Sequence, residues 1–402
     1  MSSFHPVRWT LLVAPFGMTS GFASVALAHL ATKHGLSLTD GAVLASLSVA
    51  PHAWKFLWSP VVDATLDRTR WYVLSNVTVA LALAAQAMVP LGPATLGAVQ
   101  LAVLAASVAS TFLGMAVEGL VANLADPAER GRVGGWFQAG NLGGAGLGGG
   151  LALWLLTVAP PWLAGAGLGA AVLACNLALV GLPRVAADAA AEGVGARVLA
   201  VLRSVRALGA SREGLACAVL CFVPLGTGTA GVVLNQAEVA SDWGITADDV
   251  AFWSGGVAGI AAMGGSLVGG WLCARLDARW VYVGAGALLS AVALAVSVVP
   301  EGPTAWIVSS MAYQAVTGAC FASFTGFVLA IVGREAAATK YSLYASLANV
   351  PITYMGVVNG WAADAWGTDG MLYADAGAGA VGIVVFAAAL LAVGRRPASA
   401  AP

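Results

Sequence analysis

Charge is the scarcest resource in this sequence. Asp, Glu, Lys and Arg make up only 9% of its 402 residues, where soluble domains carry roughly a quarter. So few charges cannot cover a water-facing surface of this size, which excludes a soluble globular protein. The net charge is −1 and no basic patch with interleaved aromatics occurs, so no nucleic-acid partner is expected. Cysteine is equally sparse. Cys175, Cys217, Cys221, Cys273 and Cys320 all fall in apolar segments, and only Cys217 and Cys221 share a helix face. With no neighbouring His and no second pair, they read as packing residues rather than metal ligands. Catalytic signatures are missing too: there is no Walker loop, HExxH or GxSxG. The Gly-rich run 143–150 sits inside an apolar stretch and lacks the following Lys-Ser/Thr. Neither an enzyme nor a bound cofactor is expected, and nothing in the chain could couple ATP to movement.

What the chain has in abundance is apolar sequence, 59% of all residues, with a mean hydropathy of +0.86. Runs of about 20 or more apolar residues, the length needed to cross a bilayer, predict twelve spans at 8–33, 39–64, 71–90, 94–124, 132–158, 161–183, 213–240, 247–274, 279–299, 303–332, 338–365 and 371–393. The first of these is too long for a signal h-region and has no convincing cleavage site, so it reads as a membrane helix. Sixteen of the 18 Lys and Arg residues then fall on one side, with Lys33 and Lys55 the exceptions. That asymmetry places both termini in the cytoplasm. The opposite loops carry mostly acids: Asp40, Asp242, Asp248, Asp249, Glu301, Asp369 and Asp375. Tryptophans near span ends (Trp9, Trp71, Trp280 on one side; Trp162, Trp243, Trp306, Trp366 on the other) read as interfacial anchors.

The longest interruption, 184–212, contains Ala196-Arg197-Val-Leu-Ala-Val-Leu-Arg203-Ser-Val-Arg206, a pattern for an amphipathic helix on the inner membrane face. It divides the chain into a six-span half (1–183), a cytoplasmic linker (184–212), a second six-span half (213–394) and a cytoplasmic tail (395–402). The fold class is therefore an all-α polytopic membrane protein, twelve transmembrane helices in two six-helix pseudo-repeats. The turn after span 2 (Asp67-Arg68-Thr-Arg70) and that after span 8 (Arg275-Leu-Asp277-Ala-Arg279) echo each other, and spans 5 and 8 are both glycine-rich. Such glycines allow close helix approach, either between the halves or within one.

Charged side chains inside an apolar span are costly and mark function by default. Lys55 lies eight residues before Asp63, and Glu118 eight before Asp126, in spans that both run toward the cytoplasm. Each is therefore ~12 Å from its helix end, and the two opposite charges are at matched depth. They are expected to interact or share a polar network, as an inert pair or as one that responds to substrate or protons. His52, three residues before Lys55, shares its face and is a third coupling candidate. Asp63, Arg68, Arg70, Arg275 and Asp277 are gating candidates at the cytoplasmic turns. Gln138, Asn141, Asn235, Tyr313, Gln314, Asn349 and Tyr354 are candidates to line a cavity, although intramembrane amides also serve simply to join helices.

Three stretches resemble one family. Lys55-Phe-Leu-Trp58-Ser-Pro60-Val-Val-Asp63, Val117-Glu118-Gly119 continuing to Asp126-Pro-Ala-Glu129-Arg130-Gly131, and Thr339-Lys-Tyr341-Ser-Leu-Tyr-Ala345-Ser346 with Asn359-Gly360-Trp361 resemble the AmpG-like muropeptide permease and acetyl-CoA transporter branch of the major facilitator superfamily. The resemblance implies a proton-coupled importer of a small polar organic solute, such as a muropeptide, siderophore or related metabolite. It also implies a bacterial inner membrane and a monomer with protons and lipid as partners. The chain departs from that pattern at Gly140-Asn141, where the family often has Tyr-Arg, at Glu118, usually Asp, and at Ala274, usually acidic in the superfamily. A membrane sensor that keeps the fold without transporting is the alternative reading, with an intramembrane enzyme a distant third.

Overall fold

The computed structural model describes residues 5–187 and 193–394. Part of the linker, 188–192, and the tail 395–402 with Arg395 and Arg396 lie outside the described residues. Every regular element described is helical. Among them, nine stretches are long and apolar enough to cross a membrane: Val7–Ala31, Arg68–Met88, Leu96–Leu124, Pro127–Val158, Pro161–Leu179, Ala247–Cys273, Ala278–Val296, Pro303–Val332 and Ala337–Ala389. The last of these holds two passes. Asn359 Nδ2 donates to Asp375 Oδ1 at 2.8 Å although 16 residues separate them, a distance of ~24 Å along a straight helix. The chain therefore folds back between them, at Gly367, where φ is 72°.

Two further passes are interrupted helices. One comprises Leu38–Trp54, a 3₁₀ turn at Lys55–Leu57, and Ser59–Ala64. Pro60 explains the break: it has no N–H for the Phe56 carbonyl, which accepts instead from Ser59 Oγ at 2.9 Å. The other comprises Arg212–Leu220, Thr229–Leu234 and Ala237–Asp242. Its gap at 221–228 contains Pro224 and two glycines of positive φ, Gly226 (68°) and Gly228 (72°). These passes make up spans 1 to 12 in chain order. The apolar runs 39–64 and 213–240 carry no sign of these breaks beyond their prolines and glycines, and the gap predicted between 365 and 371 is a bend at Gly367 with helix on either side.

Spans 1–6 pack together, as do spans 7–12, and the two groups meet where span 5 packs on spans 8 and 10 and where spans 2 and 4 meet span 11; the span 5–span 8 and span 2/4–span 11 contacts form two seams. At the first seam, spans 5 and 8 run backbone to backbone. A Cβ added at Gly135 would lie 2.6 Å from Gly270 Cα, one at Gly150 2.5 Å from Gly256 Cα, and one at Gly259 2.5 Å from Gly146 Cα. The opposite face of span 5 does the same within its own half, where Gly140, Gly144 and Gly148 lie on the Thr10, Ala14 and Met18 backbone of span 1. The glycines therefore serve both purposes at once.

The linker forms a helix at Val194–Ala210 that packs against Ser59–Ala64 and the start of span 11. We call the face it covers the linker face. Trp9, Trp243 and Trp306 are buried rather than interfacial, and Trp306 Nε1 donates to the Leu234 carbonyl at 2.8 Å.

Candidate functional site: a polar seam between two helical halves

The second seam joins spans 2 and 4 to span 11, and it is built from charge. Pro60 interrupts span 2 so that Lys55 sits in the 3₁₀ turn, 4% exposed. Its Nζ reaches Glu118 Oε1 of span 4 at 2.6 Å, and Glu118 is 2% exposed. The matched depth counted along the two helices thus brings the two charges together. Phe16 and Tyr341 flank the ammonium, with ring centroids at 5.9 and 5.8 Å. The second Glu118 oxygen, Oε2, accepts from Ser342 Oγ of span 11 at 3.0 Å.

One layer nearer the linker face the pattern repeats. Asp63 Oδ1 pairs with Arg68 Nη2 at 2.6 Å, both residues buried, and Arg68 Nη1 also donates to the Val62 carbonyl. Asp63 Oδ2 accepts from the Thr339 backbone N–H at 2.8 Å and from Thr339 Oγ1 at 2.6 Å. Helix Ala337–Leu347 opens after Ala336, a left-handed residue (φ 48°) whose side chain cannot cap it. The first N–H groups of a helix need an acceptor and carry partial positive charge. Asp63 supplies that acceptor from the other half of the molecule. The homologous turns cap themselves: Asp67 accepts from Arg70 N at 2.9 Å, Asp126 from Ala128 N at 2.9 Å and Asp277 from Arg279 N at 2.9 Å.

Thr339, Ser342 and Ser346 lie three and four residues apart, on one face of span 11. Ser346 Oγ completes the row by donating to the His52 carbonyl at 3.2 Å. The His52 ring packs edge-on to Phe16 at 4.6 Å, and its Nδ1 is buried without a hydrogen-bond partner. A second polar chain crosses from span 5. Asn141 Nδ2 donates to Gln138 Oε1 at 3.0 Å, Gln138 Nε2 to Thr325 Oγ1 at 2.7 Å, and Thr325 Oγ1 lies 3.1 Å from Tyr341 Oη. Sequence reasoning gave site roles to Gln138 and Asn141; Thr339, Ser342 and Ser346 entered only within the stretch that resembles the permease branch, and Thr325 not at all, because lone hydroxyls in a span carry no pattern of their own.

Other candidates are placed elsewhere. Arg70 pairs with Asp67 in its own turn, Arg275 stacks on Trp271 at 4.0 Å, and Asp277 is gripped by Arg279. The Arg279 hydrogen bond holds the Asp277 carboxyl below the usual carboxylate range. These three gating candidates therefore close their own turns instead of meeting Asp63. Tyr313, a cavity candidate, is 1% exposed, and its Oη donates to Asp375 Oδ2 at 2.6 Å within the second half. Asp375 itself lies inside span 12 rather than in a loop. Asn235 accepts from Ser310 at 2.9 Å, Tyr354 Oη donates to the Phe222 carbonyl at 2.8 Å, and Gln314 and Asn349 stay half-buried.

Comparison with solved structures follows this geometry. The chain superposes on the human organic anion transporter MFSD10 (TETRAN) with a TM-score of 0.72 at 14% identity, covering 95% of this chain and 98% of that one. It matches the Escherichia coli fucose:proton symporter FucP with a TM-score of 0.69 at 15% identity, covering 95% and 98%. A bacterial homologue of the iron transporter ferroportin, in an outward-facing state, gives 0.62 at 16% identity, covering 96% and 99%. No protein-family profile matches the sequence, and no curated protein does. At such identities the likeness concerns architecture, and the architecture is the major facilitator fold.

Proposed function

We propose that the chain is a secondary active transporter working by alternating access, with the span 2/4–span 11 seam as its inner gate and the linker face in the cytoplasm. One observation carries this reading. Both buried acids of the first half keep a cation from their own half, Lys55 for Glu118 and Arg68 for Asp63, while their remaining oxygens are held across the seam by neutral donors of span 11. Parting the halves at these two acids would break at least the three hydrogen bonds just named, worth about 1.5–3 kcal/mol each as bonds to charged groups, and would leave each acid beside the cation of its own half. That is the scale of a reversible two-state element, since moving a population from one extreme to the other takes about 5.5 kcal/mol. An inert structural pair needs no neutral contacts spanning the seam.

The buried bonds between halves gather toward the linker face, where Arg130 Nη1 also donates to the Leu329 carbonyl at 3.0 Å. At the opposite face the Lys33–Asp248 ion pair (3.2 Å) is largely exposed, and His29 Nε2 lies 3.5 Å from the same carboxylate. This distribution supports a gate closed on the cytoplasmic side. Protons are the proposed coupling ion, with Glu118, Lys55 and His52 as the responsive group. The solute is a small polar organic molecule such as a muropeptide or siderophore, recognised by the half-buried amides Asn141, Gln314 and Asn349. The resemblance to the muropeptide permease branch, import, and a bacterial inner membrane belong to the same proposal.

A thermal-shift screen with cell-wall sugars, peptides, siderophores and acyl-CoA identifies the ligand. Uptake into proteoliposomes should then collapse with an uncoupler. Lys55→Met and Glu118→Gln should abolish its pH dependence. Uptake that keeps the wild-type pH profile in both variants, or accumulation indifferent to an uncoupler, ends the coupling proposal, and no uptake of any solute the protein binds ends the transport reading.

A further inference from the structure

Away from the seam, the second half buries an acid that has no cation beside it among the described residues. Asp375 lies eight residues past Gly367, ~12 Å along span 12, and is 7% exposed. Tyr313 Oη donates to its Oδ2 at 2.6 Å. Asn359 Nδ2 donates both to its Oδ1 at 2.8 Å and to Thr229 Oγ1 at 2.9 Å, and Thr229 Oγ1 is 3.1 Å from Thr227 Oγ1. Spans 7, 10, 11 and 12 therefore meet at one carboxylate whose donors are all neutral. Span 9, which packs on span 12, has no charged side chain over 283–296. Tyr313 is thus the titratable group that faces Asp375, and spans 7 and 11 face it with Thr229 and Asn359. Burying a carboxylate with only neutral donors disfavours its charged form, which is the condition for it to take up a proton.

A second observation points to a ligand. Asn359 is fully buried, and its Oδ1 has no hydrogen-bond partner. We propose that Asp375 is a proton-binding site, separate from the Lys55–Glu118 pair, that reports its occupancy to the broken segment of span 7. In the ionised form Asn359 Nδ2 donates to both Asp375 Oδ1 and Thr229 Oγ1. When a proton from water bonds to Oδ1, the Asn359 amide turns over. Its Oδ1, the atom now without a partner, accepts from the new Asp375 O–H and from the Thr229 hydroxyl. The direction of the chain Asp375–Asn359–Thr229 reverses with no acceptor left facing an acceptor. Thr229 sits directly after Gly228, so the reversal acts at the positive-φ end of the 221–228 break. A metal cation fits less well, because an amide nitrogen already occupies the point between Thr229 Oγ1 and Asp375 Oδ1.

The test needs no transported solute. Infrared difference spectra of the full chain in lipid are recorded between about pH 5 and 9, a range that brackets ordinary carboxyl and imidazole titration. Acidification should raise a protonated-carboxyl C=O band that persists in Glu118→Gln and vanishes in Asp375→Asn. Tyr313→Phe, which keeps the ring, should move the midpoint of that band by about a unit, one hydrogen bond's worth. The proposal is overturned if no such band titrates in the wild type, or if Asp375→Asn leaves it in place. It also falls if Tyr313→Phe leaves the midpoint unmoved, or if sodium chloride at fixed pH reproduces the change. Because the signal is read without transport, it stands or falls independently of the function proposed above.

Discussion

The two seams that join the halves are pseudo-symmetric mates made of opposite materials. Spans 5 and 8 touch through glycine, Gly135 on Gly270 and Gly150 on Gly256, so their contact is van der Waals and continuous from face to face. Spans 2 and 4 meet span 11 through neutral donors on the acids of two buried ion pairs, Ser342 on Glu118 and the helix start at Thr339 on Asp63. Where Asp63 stands in the first half, the second half has the Cys273-Ala274 end of span 8, and Cys273 rests on Gly131. Dispersion contacts fade gradually as surfaces slide, whereas a capped helix end is either bonded or not. A glycine seam therefore suits a pivot, and a polar seam suits a latch.

The comparison breaks most sharply at Asp63. Asp63→Asn keeps the shape but removes the counter-charge of a fully buried Arg68, so stability should fall by about 3–5 kcal/mol, the usual cost of orphaning a buried charge. Thermal melts in lipid measure the loss. Hydrogen exchange should speed up in helix Ala337–Leu347, whose start Asp63 caps, while span 5 stays protected. Equal loosening of both seams would show that they are not distinct devices.

Next in size is the Lys55–Glu118 layer. Lys55→Met alone strands Glu118 in an apolar setting and should cost about 3 kcal/mol. The double variant Lys55→Met/Glu118→Leu should regain most of that stability, because an apolar pair of similar volume needs no desolvation. Uptake should not return with it. Recovered transport would reduce the pair to packing. A smaller effect is expected at the pivot, where Gly135→Ala drives a methyl to 2.6 Å from Gly270 Cα and overpacking costs about 1–3 kcal/mol. Its signature should be slower turnover with an unchanged pH profile, which separates pivot from latch.

The sequence exposed the spans because hydropathy and the one-sided Lys/Arg distribution are summed over many residues. It also exposed Lys55 and Glu118, since a lone charge in an apolar run stands out and depth can be counted at a fixed rise per residue. The other side of the latch was illegible. Thr339, Ser342 and Ser346 are ordinary hydroxyls, and nothing local marks Ala336 as a helix start capped by a residue 273 positions earlier. Asp375 was misplaced for a related reason. With Asp364 and Asp369 close before it, the acid is grouped with the outer charges although the predicted span 371–393 already holds it, and the bend at Gly367 sets it eight residues into that pass. Tyr313 and Asn359 were visible as polar groups, but their shared partner lies on another span.

The smallest expected effect tests the far end of the pivot. Lys33 pairs with Asp248 at 3.2 Å across the halves, yet the two side chains are 53% and 72% exposed. An ion pair that wet is screened by water and salt and contributes about 0.2–1 kcal/mol. Lys33→Ala should therefore leave the melting temperature within a degree or two, the shift such an energy gives in a chain of this size. If that face is where the halves part, the pair is broken in only one of the two conformations. Its removal should then change the balance between them, seen as a modest gain or loss of uptake that disappears in high salt. A Lys33→Ala loss as large as that of Asp63→Asn would mean that the molecule is held shut at both faces, and the assignment of one latch and one pivot would fail.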